Sequence, residues 1–178
     1  MREIGNRKSG QSHLNFIICS CIVAYTRLTL SLQRALMNEP AWTFEHSVEC
    51  AASRKFAWSF WTNVANWNDP PAKFELDGPF VVGSRLTTNL PDQTMHSLIR
   101  YVDPGQAATI EMQLPDGTVS FHWLFEDLSE MRTRITQRLN LLTTNADLVA
   151  QASFLEQSVP QGMSKLIAAI EEASKRES

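Results

Sequence analysis

The chain of 178 residues, 43% hydrophobic and 20% charged, has ordinary globular usage and enough length for one domain with a sizeable core. Its net charge of −3 is unevenly placed: five basic side chains stand against one acidic over residues 1–36, and eleven against eighteen over residues 37–178. The body is acidic and repels phosphate backbones, which sets nucleic acid aside as a partner.

Residues 1–36 begin polar and basic with Arg2, Arg7 and Lys8, then run apolar from Phe16 to Tyr25 in imitation of a secretory signal. No A-x-A type cleavage site follows, although Ile18-Cys19-Ser20-Cys21 faintly resembles a lipoprotein box. Arg27 ends the run well short of the roughly 20 apolar residues of a membrane span. The charge balance changes sign at Met37, and Met37-Asn38-Glu39-Pro40 leads straight into a strand. The expectation is an N-terminal extension over 1–36, disordered or arising from a mis-set start, no membrane span, and one domain over 37–178. The cysteines Cys19, Cys21 and Cys50 offer that domain no disulfide framework, which fits a reducing, cytoplasmic setting. Cys19 and Cys21 near His13 lack the second ligand pair of a zinc site.

From Trp42 to Cys50 the residues alternate, with Phe44, His46, Val48 and Cys50 on one face and Glu45, Ser47 and Glu49 on the other, as in a half-buried strand. Ser53 is a good N-cap for a helix in which Lys55, Ser59, Thr62 and Asn63 share one face. Phe56, Ala57, Trp58, Phe60, Trp61 and Val64 cover the rest, while Arg54 and Lys55 oppose the helix dipole. Three of the five tryptophans lie between Ser53 and Trp67, too much aromatic surface to bury without a concave partner.

Asn66 to Pro71 cannot continue a helix and carries the chain to a strand around Phe74 and Leu76. After Gly78-Pro79 the spacing predicts strands over Gly83 to Leu90, Met95 to Val102, Ala107 to Leu114, Thr118 to Glu126 and Arg132 to Leu141. Turns as short as Asp103-Pro104-Gly105 and Pro115-Asp116-Gly117 make sequential neighbours antiparallel. Helix follows from Asp147 to Gln157, then an interruption at Ser158-Val159-Pro160. A second helical piece, capped by Ser158, carries the stripe Met163, Leu166, Ile167 and Ile170.

A strand, a helix, six strands in a meander and a long helix make an α+β fold, a seven-stranded antiparallel sheet with helices on one side. Twisted strands curl around the face they bury, and one helical stripe leaves that concavity partly unfilled, so an apolar cavity is expected between sheet and C-terminal helix.

From Trp42 to the C-terminus the residues resemble the helix-grip superfamily of START-like, polyketide-cyclase-like and birch-pollen-allergen-like proteins, SRPBCC. The resemblance rests on Ser47-Val48-Glu49-Cys50-Ala51-Ala52-Ser53, then Trp58, Trp61-Thr62 and Trp67. It continues through Val81 to Arg85, Val102 to Gly105, Thr133 to Arg138 and Gly162 to Leu166. Arg54 stands where a Pro is usual, Trp123 where a His is common, and residues 1–36 have no counterpart. The resemblance implies a curved seven-stranded antiparallel sheet wrapped around a long C-terminal helix.

Of the inward-facing polar residues, His46 is the most chemical, although a lone His on an apolar strand face is more often a core residue satisfied by one hydrogen bond. Gln137 faces inward and can donate and accept at once, which suits a ligand oxygen or, equally, a strand backbone. Trp123 can supply an indole N–H, although its stripe with Phe121 and Phe125 also reads as core. His46 and Gln137 are the candidate catalytic pair. The candidate ligand-binding set adds Trp61, Phe74, Phe121, Trp123 and Phe125, with Met163 and Ile167 from the long helix.

Glu126-Asp127 and Glu171-Glu172 read as surface charge, and Arg132, Arg134 and Arg138 as a solvated face. No nucleophile with a partnered base, H-E-x-x-H pattern or phosphate-cradling glycine loop is present, and no metal or cofactor is expected. The leading function is binding of a small hydrophobic or amphipathic molecule. The alternatives are a polyketide cyclase or dehydratase using the same cavity, and a module resembling activators of the heat-shock ATPase chaperone. The sequence names no protein partner and leaves open whether a reaction is catalysed.

Overall fold

The computed structural model describes residues 39–67 and 69–177. The expected extension over 1–36, with His13, Cys19 and Cys21, lies outside the described residues. The elements run β1 (Trp42–Cys50), α1 (Arg54–Thr62), a 3-10 turn (Val64–Asn66), β2 (Lys73–Leu76), β3 (Arg85–Asn89), β4 (Thr94–Asp103), β5 (Ala107–Leu114), β6 (Gly117–Ser129), β7 (Arg132–Thr143), α2 (Ala146–Ala152) and α3 (Leu155–Glu177).

The strands form one antiparallel sheet in the order β1-β7-β6-β5-β4-β3-β2. Strands β2 to β7 are the predicted meander. Strand β1 adds to β7 at the far edge from β2, so the segment containing α1 crosses from one edge to the other. Register shifts between Ile99 and Tyr101 and between Asp127 and Ser129 insert an extra residue into β4 and β6, which bends those strands and increases their twist. Gly105, at φ 82°, closes the β4–β5 turn, where the Gln106 N–H donates to the Asp103 carbonyl at 2.9 Å. At Gly117 a Cβ would lie 2.5 Å from the Leu142 carbonyl oxygen, so the β5–β6 hairpin approaches β7 only with glycine there.

Helix α1 starts as its sequence dictates: Ser53 Oγ accepts from the Phe56 N–H at 3.3 Å. Arg54 at its first position is offset by Asp127 at 2.9 Å, and Ala57 and Trp61 are buried. The turn after it is stitched to the helix end by Trp67 Nε1 donating to the Trp61 carbonyl at 2.7 Å and Asn66 Nδ2 to the Phe60 carbonyl at 2.9 Å.

The C-terminal helical region breaks earlier than its sequence suggests. The interruption falls at Ser153–Phe154, not at Ser158–Pro160, and α3 runs unbroken through Pro160. Ser158 therefore lies inside the helix and caps nothing. Pro160 is near the start of α3, where its missing N–H forfeits a single backbone bond, and the packing of Val159, Met163, Leu166, Ile167 and Ile170 on the core outweighs that loss. Helix α2 is capped by Asn145, whose Oδ1 accepts from the Asp147 N–H at 2.9 Å.

Candidate functional site

Between the concave face of the sheet and α3 lies a cavity of about 540 Å³, inside the range of about 300–1,000 Å³ usual for small-molecule pockets. Its floor comes from alternate residues of β2 to β7: Phe74, Leu86 and Thr88, Met95 and Ser97, Ile110 and Met112, Phe121 and Trp123, and Gln137. They share one face because the register pairs Phe74 with Thr88, Leu86 with Ser97, Ile110 with Phe121 and Trp123 with Gln137. Val159, Met163, Leu166 and Ala169 of α3 form the roof, and Trp61, Asn66 and Trp67 close one end. At the mouth Lys165 pairs with Asp69 at 3.1 Å, both side chains well exposed.

Of the ligand-binding residues expected from the sequence, Trp61, Phe74, Phe121, Trp123, Gln137 and Met163 line this cavity. His46, Phe125 and Ile167 lie outside its lining. Phe125 is fully buried, with its ring 5.4 Å from those of Trp58 and Trp61. Ile167 packs on the core. His46 is directly opposite Gln137 in register, but on β1, against which α3 packs. The candidate catalytic pair is thus adjacent, with Gln137 alone facing the cavity.

Among the described residues five polar side chains are buried: Ser84, Ser97, Thr133, Gln137 and Ser174. Ser84 donates to the Pro79 carbonyl and Thr133 to the Ala52 carbonyl, each at 2.8 Å, and Ser174 is also partnered. Ser97 and Gln137, 7% and 9% exposed, have no side-chain hydrogen bond among the described residues, and both line the cavity. Ser97 was not singled out from the sequence, though its position between Met95 and Ile99 in an alternating strand was an available signal. Trp67 and Asn66 carried no such signal, because a loop has no periodicity.

The opposite face of the sheet carries a second feature. His122, pointing away from the cavity, has Nδ1 2.9 Å from Thr109 Oγ1 and Nε2 3.0 Å from Asn140 Nδ2 and 3.1 Å from Ser120 Oγ. Since Asn140 Nδ2 donates, Nε2 is the acceptor and the ring is neutral with its proton on Nδ1. Burial, and then the neighbouring Arg138, hold its pKa below the usual histidine value. A shallow groove of about 370 Å³ runs past His122, Tyr101 and Leu124. Arg132, Arg134 and Arg138, on this face, pair with Glu49 and Glu45 across β1. Glu171 is more than surface charge, since its Oε1 accepts from the Ala51 N–H at 2.8 Å.

Among the described residues no three His, Cys, Asp or Glu side chains are grouped to hold a metal, and no helix is long and apolar enough to cross a membrane. No protein-family model matches the sequence, and no curated protein sequence matches it. Solved structures do match. Norcoclaurine synthase from Thalictrum flavum, in complex with dopamine and hydroxybenzaldehyde, superposes with a TM-score of 0.61 at 14% identity, over 77% of this chain and 88% of that one. The fold is the α+β helix grip, a curved seven-stranded antiparallel sheet with a long C-terminal helix. A Mesorhizobium loti protein gives a TM-score of 0.61 at 13% identity over 74% and 98% of the two chains. An Arthrobacter aurescens protein gives 0.57 at 16% over 73% and 86%. At these identities the likeness establishes the helix-grip fold, and the reading of its cavity rests on the residues that line it.

Proposed function

We propose that this protein binds a small hydrophobic or amphipathic molecule in the cavity between sheet and α3. The observation that carries the reading is the pair Ser97 and Gln137, more than nine-tenths buried, without a hydrogen-bond partner among the described residues, on the wall of an otherwise apolar space. No fully buried side-chain nitrogen or oxygen among the described residues lacks a partner, so the unbonded polar atoms of these two side chains are open to a bound molecule with polar atoms of its own. The solved helix-grip structure holding two small aromatic molecules supports the same use of the fold.

Binding is favoured over a cyclase or dehydratase reaction because the lining offers little acid–base chemistry. Its titratable groups, Asp69 and Lys165, are paired with each other at the exposed mouth, and His46 stands one strand away. The test is titration with 1-anilinonaphthalene-8-sulfonate, followed by native mass spectrometry, on wild type and on Ala169→Trp, which puts an indole into the cavity. Saturable one-to-one binding that Ala169→Trp abolishes is expected. Binding indifferent to that substitution, or no saturable phase at all, refutes the reading. Product analysis with aromatic polyketide-like carbonyl compounds is expected to show no turnover. Turnover lost in His46→Gln would move the protein to the enzyme class.

A further inference from the structure

We infer that two copies of this chain associate through the outer face of the sheet at the β1–β7 seam, in a symmetric dimer held by charge. The register sets two stripes of opposite sign side by side there. Strand β1 points Glu45 and Glu49 away from the core, and β7 points Arg132, Arg134 and Arg138 the same way. Glu45 stands directly opposite Arg138 and Glu49 directly opposite Arg134, with Ser47 and Thr136 as the short rung between them. These five charged side chains are 43–60% exposed, so a second molecule can reach them. Glu126, in register with Arg134 from β6, brings the patch to three charges of each sign, while residues 37–178 as a whole carry eleven basic against eighteen acidic side chains. The acidic excess therefore lies wholly outside the patch. Copies that meet by other surfaces bring like charges together, and copies that meet at the seam do not.

The pattern is self-complementary. A two-fold axis along the strand direction, between two seams laid face to face, carries the β1 of one copy over the β7 of the other and leaves each rung at its own height. Glu45 of each copy then meets Arg138 of the other, and Glu49 meets Arg134. Capacity for this second partner is present. Arg138 gives its Nε and one terminal nitrogen to Glu45 Oε2, each at 2.6 Å, which leaves Glu45 Oε1 and the other terminal nitrogen for a bond across the dimer. Ser47 and Thr136 bond each other at 2.7 Å, so the short rung is covered without stranding a polar group. A single exposed ion pair contributes little, but alternating charges from two copies form a network. A polyanion would meet the glutamates and a polycation the arginines, whereas a surface bearing the same two stripes in reverse order fits both.

The test is sedimentation velocity of the full-length chain across salt concentrations. A dimer is expected in about 0.01 M salt, where charges act over roughly 30 Å, and a monomer in about 1 M, where they act over roughly 3 Å. Glu45→Arg with Glu49→Arg makes the seam basic, and Arg134→Glu with Arg138→Glu makes it acidic. Each of these chains alone should stay monomeric, and an equimolar mixture of the two should form one-to-one dimers. If either fails to fold, amide ¹H–¹⁵N spectra of the wild type on dilution decide. The Ser47 and Thr136 signals should shift with concentration, and those of Lys55 and Ser59 on α1 should stay fixed. A monomer at every salt concentration overturns the inference. So does a dimer that ignores salt, one that the two single-sign chains each form alone, or shifts on α1 in place of the seam.

Discussion

His122 shows how one side chain can escape a reading based on alternation and still control a measurable property. It stands on the outer face of β6, in register with Thr109 and Arg138, and its hydrogen bonds to Thr109, Ser120 and Asn140 suit the neutral ring. Its pKa in the folded chain lies below the reference value of 6.5, so the unfolded chain takes up a proton first as pH falls. Stability from this residue is full above 6.5, declines as pH falls through 6.5 toward the lower folded-state value, and is constant below that. Urea melts of wild type and His122→Gln between pH 7.5 and 5.5 should show a steeper loss in wild type. Parallel profiles would contradict the assignment. Cys50 presents the opposite case. Burial, and then the charge of Glu171, push its thiol up to about 11, which keeps it protonated and unreactive at neutral pH.

At the scale of elements, helix α1 was legible because its signals are local. Ser53 at the cap, the polar face of Lys55 and Ser59, and the apolar remainder all follow from 3.6 residues per turn. Replacing Ser53 with Ala removes the bond to the Phe56 N–H and should cost about 1 kcal/mol in a urea melt. No change would mean that Trp61 packing alone holds the helix start. Helix α3 continues through Pro160, where a local signal predicts a break, because the core contacts of the surrounding turns outweigh the one backbone bond that proline forfeits. The strand ends show the same limit, with β6 reaching Ser129 and β7 reaching Thr143 beyond the residues whose alternation was clear.

For the whole molecule, every strand of the sheet falls between Trp42 and Thr143, and α3 ends at Glu177. A chain beginning at Met37 should therefore melt cooperatively within about 1 kcal/mol of the full-length protein, near the scatter of substitutions that touch no packed contact. Loss of cooperative melting would show that residues 1–36 contribute to the fold. The sequence by itself determined which residues form strands and helices, and which face of each is apolar, because the pleat and the helical turn impose periods of 2.0 and 3.6 on the chain. Only the tertiary structure decided that β1 closes on β7, a pairing between residues about ninety positions apart that no local period encodes. That closure separates two residues alike in sequence: His46 and Gln137 both point inward, yet α3 packs against the strand of one and leaves the other facing the cavity. Facing inward is a property of the strand; being covered or left open depends on where a distant helix comes to rest.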